Sequence, residues 1–211
     1  MKTIAIAGIH TGIGKTIASA VIAEALGADY WKPVQAGDLE HSDTITVSGL
    51  LANGASRVHP EAIRLSQPLS PHAAALIDNV QVNYKDFTFP HTANALIVET
   101  AGGVHSPIND TDTMADFISH YQLPTLLVSR NYLGSINHTL MSIEVLKARG
   151  ILLPGIIISG DRNEESERFI ERYGGVPIIA HIPQFSELAH EHITQQALII
   201  QNALRQKLGH E

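Results

Sequence analysis

The segment that most constrains the fold is a short apolar run that leads directly into a glycine-rich loop. Residues 3–8 are short, uninterrupted and apolar, which predicts a buried β-strand. The loop Gly-Ile-His-Thr-Gly-Ile-Gly-Lys-Thr occupies residues 8–16, and the stretch 15–26 predicts a helix that stops at Gly27. A strand, a glycine-rich turn and a helix in this order can form a cradle for phosphate groups. The chain is therefore expected to fold around an anion site.

Each part of this loop has a role that its residue types can fill. Backbone N–H groups of the turn would surround phosphates, and the helix N-terminus adds the positive end of its dipole. The ammonium group of Lys15 would reach the β- and γ-phosphates, and the hydroxyl of Thr16 would coordinate Mg²⁺. The loop departs from the common pattern because five residues, and not four, separate Gly8 from Gly14.

Apolar runs alternate with amphipathic ones along the rest of the chain. Further strands are predicted at residues 30–33, 95–98, 124–128, 155–158 and 176–179. Further helices are predicted at residues 43–51, 71–76, 111–121, 136–149, 163–174 and 194–208. Apolar strands separated by helices indicate a parallel sheet with helices on both faces. Because no linker, repeat or low-complexity stretch interrupts the pattern, one α/β domain over residues 1–211 is expected.

Composition excludes several classes of protein. The chain has 14 Lys and Arg against 21 Asp and Glu, a net charge of −7, which argues against a nucleic-acid-binding face. With no cysteine, it has no cysteine nucleophile and no thiolate zinc site. No uncharged run reaches the roughly 18 residues of a membrane span, and the apolar start is too short for a signal peptide. No membrane association and a cytoplasmic location are expected. The 12 histidines show no metal-binding spacing.

Two acidic residues are candidates for holding Mg²⁺. Glu99 directly follows the predicted strand 95–98, and Asp43 lies at the start of a predicted helix with Ser42 as its N-cap. Either carboxylate also has an ordinary interpretation, Glu99 as a surface residue at a strand end and Asp43 as a helix N-terminal acid that the dipole favours.

A lysine and a helix start are candidates for binding other anions. Lys32 stands at the end of the predicted strand 30–33, where ligands bind to parallel sheets, and it would neutralise a phosphoryl group or a carboxylated substrate unless it is simply solvated. The N–H groups of Ser135, Ile136 and Asn137 would hold a carboxylate, unless this is an ordinary helix start with Ser135 as its N-cap.

Several short segments in one order resemble the dethiobiotin synthetase family. They are residues 8–16, 32–37, 42–44, 69–74, 98–103, 133–138 and, weakly, 182–183. The phosphate loop is shared with many enzymes and discriminates little. The combination of Lys-Pro-Val at 32–34, Ser-Pro-His at 70–72 and Leu-Gly-Ser-Ile-Asn-His at 133–138 is far more specific.

The resemblance implies a homodimeric P-loop NTPase fold with three layers and a mostly parallel sheet of about seven strands. It implies Lys15 and Lys32 as catalytic residues, with Mg²⁺ held by Thr16, Asp43 and Glu99. The implied reaction uses ATP and CO₂ to carboxylate 7,8-diaminopelargonic acid and close its ureido ring. No covalent enzyme intermediate is needed for this chemistry.

The resemblance also implies two sets of contact residues. Those on the nucleotide side are Gly12, Ile13, Gly14, Lys15, Thr16, Ile17, Asp43, Glu99, Thr100, Ala101, Gly102, Ser159, Gly160 and Pro183. Those on the substrate side are Thr11, Lys32, Ala36, Ser135, Ile136 and Asn137, the last three across the dimer interface.

The chain departs from its implied relatives at three points. Many relatives carry acidic residues on both sides of the loop threonine, where this chain has His10 and Gly12. Ala36 stands where relatives have a Ser or Thr that contacts the substrate, so one hydrogen bond is lost or is supplied by Gln35. Ser159 stands where some relatives use Asn to read adenine, which leaves nucleobase selectivity open.

Two other functions share the phosphate loop. A regulatory ATPase of the partitioning type has an extra lysine near the loop start and often a basic C-terminal membrane helix. Here positions 9 and 10 are Ile and His, and residues 195–208 contain only Arg205 and Lys207 as basic residues. A GTPase metallochaperone would carry an Asn-Lys-x-Asp motif and metal-binding cysteines, and the chain has neither. Both remain alternatives to the synthetase.

Overall fold

The computed structural model describes residues 2–209 and shows seven parallel strands in one sheet. The strands in this part of the chain are β1 (Thr3–Gly8), β2 (Asp29–Trp31), β3 (Val34–Ala36), β4 (Val58–His59), β5 (Ile63–Leu65), β6 (Leu96–Glu99), β7 (Thr125–Ser129), β8 (Gly155–Ser159) and β9 (Ile178–Ile182). The order across the sheet is β4-β2-β6-β1-β7-β8-β9, and every neighbouring pair is parallel. The short strands β3 and β5 form a separate parallel pair.

Helices cover both faces of the sheet. They are α1 (Lys15–Leu26), α2 (Asp43–Leu50), α3 (Gly54–Arg57), α4 (Pro71–Ile77), α5 (Met114–His120), α6 (Ser135–Ala148), α7 (Glu164–Gly174) and α8 (His190–Leu208). Helices α1, α2 and α8 pack against one another, and α6 packs against α7. From the central strand β1 the chain first adds strands on the β2 side of the sheet and later adds strands on the β9 side. Crossovers between parallel strands are right-handed, so those that run in opposite directions place their helices on opposite faces of the sheet.

The central strands are apolar because both of their faces are covered. Ile4, Ala5, Ile6 and Ala7 of β1 are completely buried, as are the middle residues of β6, β7 and β8. The predicted three-layer α/β fold with a parallel sheet of about seven strands is confirmed. No helix within residues 2–209 is long and apolar enough to cross a membrane.

Several predicted element boundaries are wrong, each for a local reason. The second strand ends at Trp31 and does not reach Pro33, which has no N–H group to offer a ladder. The helix predicted from residue 111 starts at Met114, after a capping box between Thr113 and Asp116. The last strand, predicted at 176–179, occupies Ile178–Ile182 because it begins after Pro177.

Tertiary contacts explain further differences. The last helix starts at His190 and not at residue 194, and the His190 ring bonds to the carbonyl of Leu50 on α2. Pro71 opens α4 as predicted, but the hydroxyl of Ser70 makes no capping bond and pairs with the ring of His72 at 2.9 Å. Strands β3 and β5 were not predicted, because three-residue strands have too little periodicity to be recognised.

Candidate functional site

The carboxyl edge of the sheet gathers charged and polar residues from five neighbouring strands. In spatial order they are Lys32 after β2, Glu99 at the end of β6, the loop after β1, Arg130 after β7 and Ser159 at the end of β8. The crossovers diverge on either side of β1, and a crevice at such a branch point is where open parallel sheets bind ligands. The fold therefore brings residues that are far apart in sequence to one site.

The glycine-rich loop has a backbone shape that only glycine accepts easily. Gly12 and Gly14 have φ angles of +73° and +97°, and Gly14 is the N-cap of α1. A Cβ on Gly14 would overlap the hydroxyl of Ser159. No side chain of the described residues 2–209 caps α1, so its first N–H groups are left for another acceptor. The loop thus has the geometry of an anion cradle, as its sequence predicts.

Four of the predicted residues contact one another beside this cradle. The hydroxyl of Thr16 donates hydrogen bonds to Asp43 Oδ1 at 2.5 Å and to Glu99 Oε1 at 3.2 Å. The ammonium group of Lys32 forms ion pairs with Asp43 and with Glu99, the latter at 3.2 Å. The structure therefore joins Thr16, Lys32, Asp43 and Glu99 into one cluster, although they are up to 83 residues apart in sequence.

The neighbouring charges determine the ionisation of this cluster. Burial alone would lower the pKa of Lys32, but the carboxylates of Glu99 and Asp43 outweigh it and raise that pKa. Burial opposes ionisation of Asp43, yet Lys32 and the Thr16 hydroxyl lower the pKa of this carboxyl group. Lys32 is therefore a cation and Asp43 an anion at neutral pH.

Lys15 differs from Lys32 because no carboxylate within residues 2–209 forms an ion pair with it. Its ammonium group is buried and lies 3.4 Å from the carbonyl oxygen of His10. Burial lowers the pKa of Lys15 below its usual value, and the nearby Glu99 only partly offsets this. A desolvated cation without an ion pair is suited to receive an anionic ligand.

A cavity of about 640 Å³ opens over the loop and the cluster. The predicted site residues that line it are Thr11, Gly12, Gly14, Lys15, Thr16, Ile17, Lys32, Ala36, Asp43, Glu99 and Gly102. Gln35, named from the sequence as a possible replacement donor, also lines it, as do Leu69, Ser70 and Pro71 of the segment 69–74. Residues with no role predicted from the sequence line it as well, namely Asp38, Pro68, Ser106 and Arg130. The cavity is large enough for a ligand of the size of a nucleotide.

Some predicted contact residues do not line this cavity. The side chain of Ile13 and that of Ala101 are buried, and the hydroxyl of Thr100 donates to the carbonyl of Ile6 at 3.1 Å, which directs it into the sheet. Pro183 is exposed after β9. A side-chain contact of Thr100 with a nucleotide is thus not supported, because its hydroxyl is already used.

Gln35 does not simply replace the hydroxyl that Ala36 lacks. Its amide N–H donates to the carbonyl of Gly37 at 2.9 Å, and its amide oxygen accepts from the N–H of Asp43 at 3.4 Å. Gln35 therefore holds the start of α2, and with it Asp43, in place.

The start of α6 lies outside the main cavity of its own chain. The N-cap is Gly134 and not Ser135, because Gly134 takes the left-handed conformation and the Ser135 hydroxyl accepts from the N–H of Tyr132 at 3.3 Å. Ile136 is half-buried and Asn137 is exposed. A second cavity of about 400 Å³ lies between this helix and the phosphate loop, with an apolar wall. Ser135, Ile136 and Asn137 therefore do not meet Lys32 within one chain.

The donor set near Lys32 suits magnesium. Two carboxylates and one hydroxyl converge there, all with oxygen atoms, and Mg²⁺ prefers oxygen ligands and keeps several waters. Among residues 2–209, no group of three or more His, Cys, Asp or Glu side chains is arranged to hold a metal ion. The residues present fit a cation that completes its coordination with phosphate and water.

Three further residues of the site were not predicted from the sequence. Tyr30 donates its hydroxyl to Glu99 Oε2 at 2.9 Å, and the hydroxyl of Ser106 accepts from the N–H of Gly103 at 2.7 Å. Arg130 directly follows an apolar strand, as Lys32 and Glu99 do, and this position was the available signal. Tyr30 precedes Lys32 by two residues, and side chains two residues apart in a strand lie on the same face, so its place near the site was predictable. Ser106 lies on a loop, where no sequence pattern indicates its role.

Comparison with known proteins identifies close relatives. A family model described as an AAA domain matches residues 2–192. The ATP-dependent dethiobiotin synthetase BioD of Cytophaga hutchinsonii is 47% identical over 199 residues, which cover 94% of this chain and 96% of that protein. The protein of the same name from Christiangramia forsetii is 49% identical over 190 residues, with 89% and 91% covered.

Solved structures of similar shape are more distant in sequence. The cell division ATPase MinD of Pyrococcus furiosus has a TM-score of 0.56 at 13% identity and covers 98% of this chain and 99% of its own. The MinC:MinD cell division protein complex of Aquifex aeolicus has a TM-score of 0.55 at 15% identity, with 100% and 97% covered. At this identity the likeness shows a shared fold and no more.

Proposed function

The chain belongs to the ATP-dependent dethiobiotin synthetase family, whose members are ATP-dependent ligases of biotin biosynthesis, and from this premise we propose its substrates and mechanism. The proposed reaction joins CO₂ to 7,8-diaminopelargonic acid and closes the cyclic urea of dethiobiotin, while ATP is converted to ADP and phosphate. The observation that carries the proposal is the cluster of Thr16, Lys32, Asp43 and Glu99 directly beside the phosphate cradle.

The nucleotide would lie along the glycine-rich loop. The N–H groups of residues 12–17 would surround its β-phosphate, and the ammonium of Lys15, which forms no ion pair within residues 2–209, would meet the β- and γ-phosphates. Ser159 and Gly160 lie next to the loop at the end of β8, on the side where the nucleoside half would rest.

The metal would be held by Thr16, Asp43 and Glu99. When bound, Mg²⁺ would neutralise phosphate oxygens and stabilise the charge that develops during transfer. Lys32 pairs with both carboxylates and keeps them close together, which supports the proposal that one cation would be held by both.

The chemistry needs charge neutralisation and positioning, and no enzyme nucleophile. One substrate amine adds to CO₂ and loses a proton, which gives a carbamate. A carbamate oxygen then attacks the γ-phosphorus as ADP leaves, which gives a carbamic-phosphoric anhydride. The second amine attacks the carbonyl carbon, the bond to the phosphate oxygen breaks, the amine loses a proton and the ring closes. Lys32 and Lys15 would neutralise the carbamate and phosphoryl oxygens at each stage.

The substrate carboxylate would bind at the start of α6 of a second subunit. In one chain Ser135, Ile136 and Asn137 stand away from the main cavity, so a partner copy is needed to bring them near Lys32. The helix N-terminus would bind the anion with backbone N–H groups and the helix dipole. We therefore propose a homodimer with the site at its interface.

Phosphate release in defined mixtures tests this function. We expect release from ATP and Mg²⁺ only when both 7,8-diaminopelargonate and bicarbonate are present, with one phosphate per ring closed. Release that is indifferent to the diamine would contradict the synthetase assignment and favour a regulatory ATPase. Repeating the assay with GTP and CTP tests whether Ser159 leaves the nucleobase poorly discriminated.

A further inference from the structure

Arg130 lies beside the phosphate loop, on the side opposite Lys32. It follows β7 and lines the main cavity. One guanidinium nitrogen lies 3.9 Å from the position that a Cβ on Gly14 would take, and Nε lies 3.4 Å from that on Gly160. The guanidinium group thus lies between the loop and the end of β8, within van der Waals distance of both.

Arg130 has no partner among the described residues, although it is half-buried. Its Nε is buried without a hydrogen-bond acceptor, and its other nitrogens make no hydrogen bond or ion pair within residues 2–209. The other half-buried arginines in this range have acidic partners, Arg57 with Glu24 and Arg149 with Asp116. The remaining arginines are exposed to water. A shielded cation without a counterion indicates that an anion belongs there.

We propose that Arg130 is a nucleotide-binding residue that contacts the phosphate chain at its α-phosphate end. This rests on the proposed nucleotide site, and it adds a contact that neither the loop motif nor the carboxylate cluster supplies. Strands β2 and β6 place Lys32 and Glu99 on one side of the loop, while β7 and β8 place Arg130 and Ser159 on the other. A triphosphate with its γ-phosphate towards Lys32 therefore points its α-phosphate towards Arg130.

The guanidinium group suits this role better than an ammonium would. It presents several N–H donors in a planar fork, which matches two phosphate oxygens at once. Because Arg130 makes no hydrogen bond or ion pair within residues 2–209, its replacement by a side chain of similar length breaks no polar contact there, and the ligand-free fold should not suffer. A purely structural arginine would behave in the opposite way.

Titration of ADP and GDP into five proteins tests the proposal. They are the wild type, Lys15→Met, Arg130→Lys, Arg130→Met and Arg168→Met. Arg168 is an exposed residue of α7, outside the cavity, and its substitution changes the net charge equally. We expect Arg130→Met to weaken ADP binding about 10- to 100-fold, Arg130→Lys to lie between it and the wild type, and Arg168→Met to have no effect.

Two further readouts separate the possible outcomes. Arg130→Met should weaken the affinities for ADP and for GDP by the same factor, because the proposed contact is to phosphate. Without ligand, Arg130→Met should unfold at the wild-type temperature or above it. Unchanged ADP affinity, a loss confined to one nucleobase, or a lower unfolding temperature without ligand would each overturn the proposal. Wild-type binding that is lost in Lys15→Met would show that the nucleotide site itself is right, whatever Arg130 does. A wild type that binds neither nucleotide would overturn the site and this proposal together.

Discussion

The hydroxyl of Tyr30 donates a 2.9 Å hydrogen bond to Oε2 of Glu99, across two neighbouring parallel strands in the interior of the protein. The other oxygen of Glu99, Oε1, accepts from Thr16 and pairs with Lys32. Burial and the Glu99 carboxylate raise the pKa of Tyr30 well above its usual value, so the phenol keeps the proton that it donates to Glu99. Tyr30 therefore fixes the orientation of a carboxylate that is a proposed magnesium ligand.

Replacing Tyr30 by Phe should weaken the response to Mg²⁺ without abolishing nucleotide binding. Loss of the phenol leaves Glu99 Oε2 buried and without this partner, so the carboxylate keeps only its Oε1 contacts and is oriented less firmly. Because partners of metal ligands typically contribute 10- to 100-fold, we expect a rise of about that size in the Mg²⁺ concentration for half-maximal activity. A magnesium titration of phosphate release checks this. Tyr121→Phe is the matched control, because it removes a hydroxyl that donates to the backbone carbonyls of Tyr84 and Phe87.

Replacing Lys32 by Ala should nearly abolish turnover while the protein still folds. Removal of one preorganised charge at the reacting groups typically costs about 10²- to 10³-fold in kcat. The same change leaves Asp43 and Glu99 facing each other without their shared cation, so the unfolding temperature should fall and rise again when Mg²⁺ is added. Near-normal kcat would remove Lys32 from the site. Lys85→Ala, at an exposed position, should change neither property.

Many residues of this site were predicted from local sequence patterns. The contacts between them depend on which strands pair, and no local pattern predicts that. The strand Thr3–Gly8 and the helix Lys15–Leu26 have the predicted bounds because apolar period and glycine stops are local signals. Glu99 and Lys32 were recognisable as charges at strand ends. Their contact, however, depends on β2 lying beside β6, and this order of strands is decided by packing of the whole sheet.

The shortest strands also depend on contacts that are distant in sequence. Strands β3 and β5 place Ala36 and Gln35 in the cavity wall, yet they are stabilised by pairing with each other across 29 residues of sequence, as in the register of Val34 with Ile63. The ends of β9 and α8 likewise depend on neighbours, Pro177 and Leu50. The positions of Lys32 and Glu99 at strand ends predicted that they belong to the site. The contacts of Tyr30 and the placement of Arg130 became known only from the structure.

Gly14→Ala should abolish nucleotide binding, in contrast to a glycine of similar backbone conformation elsewhere. Gly14 has φ +97°, and a Cβ there would overlap the Ser159 hydroxyl, so the loop would have to move. Gly27 also has a positive φ of +61° as the C-cap of α1, but open space surrounds it. Gly27→Ala should therefore cost about 1 kcal/mol of stability and leave ADP affinity unchanged, which calorimetry and chemical denaturation would show. Equal ADP affinity in the two variants would contradict the assigned role of the loop.

Leu133→Asp should dissociate the proposed homodimer. Leu133 is fully exposed beside the start of α6, the surface expected to face the partner's cavity. We expect a wild-type mass of twice the 22.8 kDa chain by light scattering, a single-chain mass for the variant, and a higher KM for the diamine with little change in ADP affinity. Leu152→Asp is the control, since Leu152 is half-exposed at the opposite edge of the sheet, before β8. A monomeric wild type would contradict the proposal that the site lies at a dimer interface.

The buried carboxylate of Glu167 should make stability depend on pH in the acid range. Desolvation opposes its ionisation, but the N–H of Asn163 and the side chains of His181 and Asn131 outweigh it and lower the pKa of Glu167 from 4.5 to about 2. A depressed folded-state pKa stabilises the protein above pH 4.5, and this contribution, on the order of 3 kcal/mol, is lost as the pH falls from 4.5 towards 2. Denaturation of Glu167→Gln should thus show a deficit against the wild type at pH 7 that shrinks steadily below pH 4.5. Glu165→Gln removes only an exposed ion pair with Arg168 and should show a small difference at every pH, whereas a pH-independent deficit in Glu167→Gln would assign the effect to lost packing.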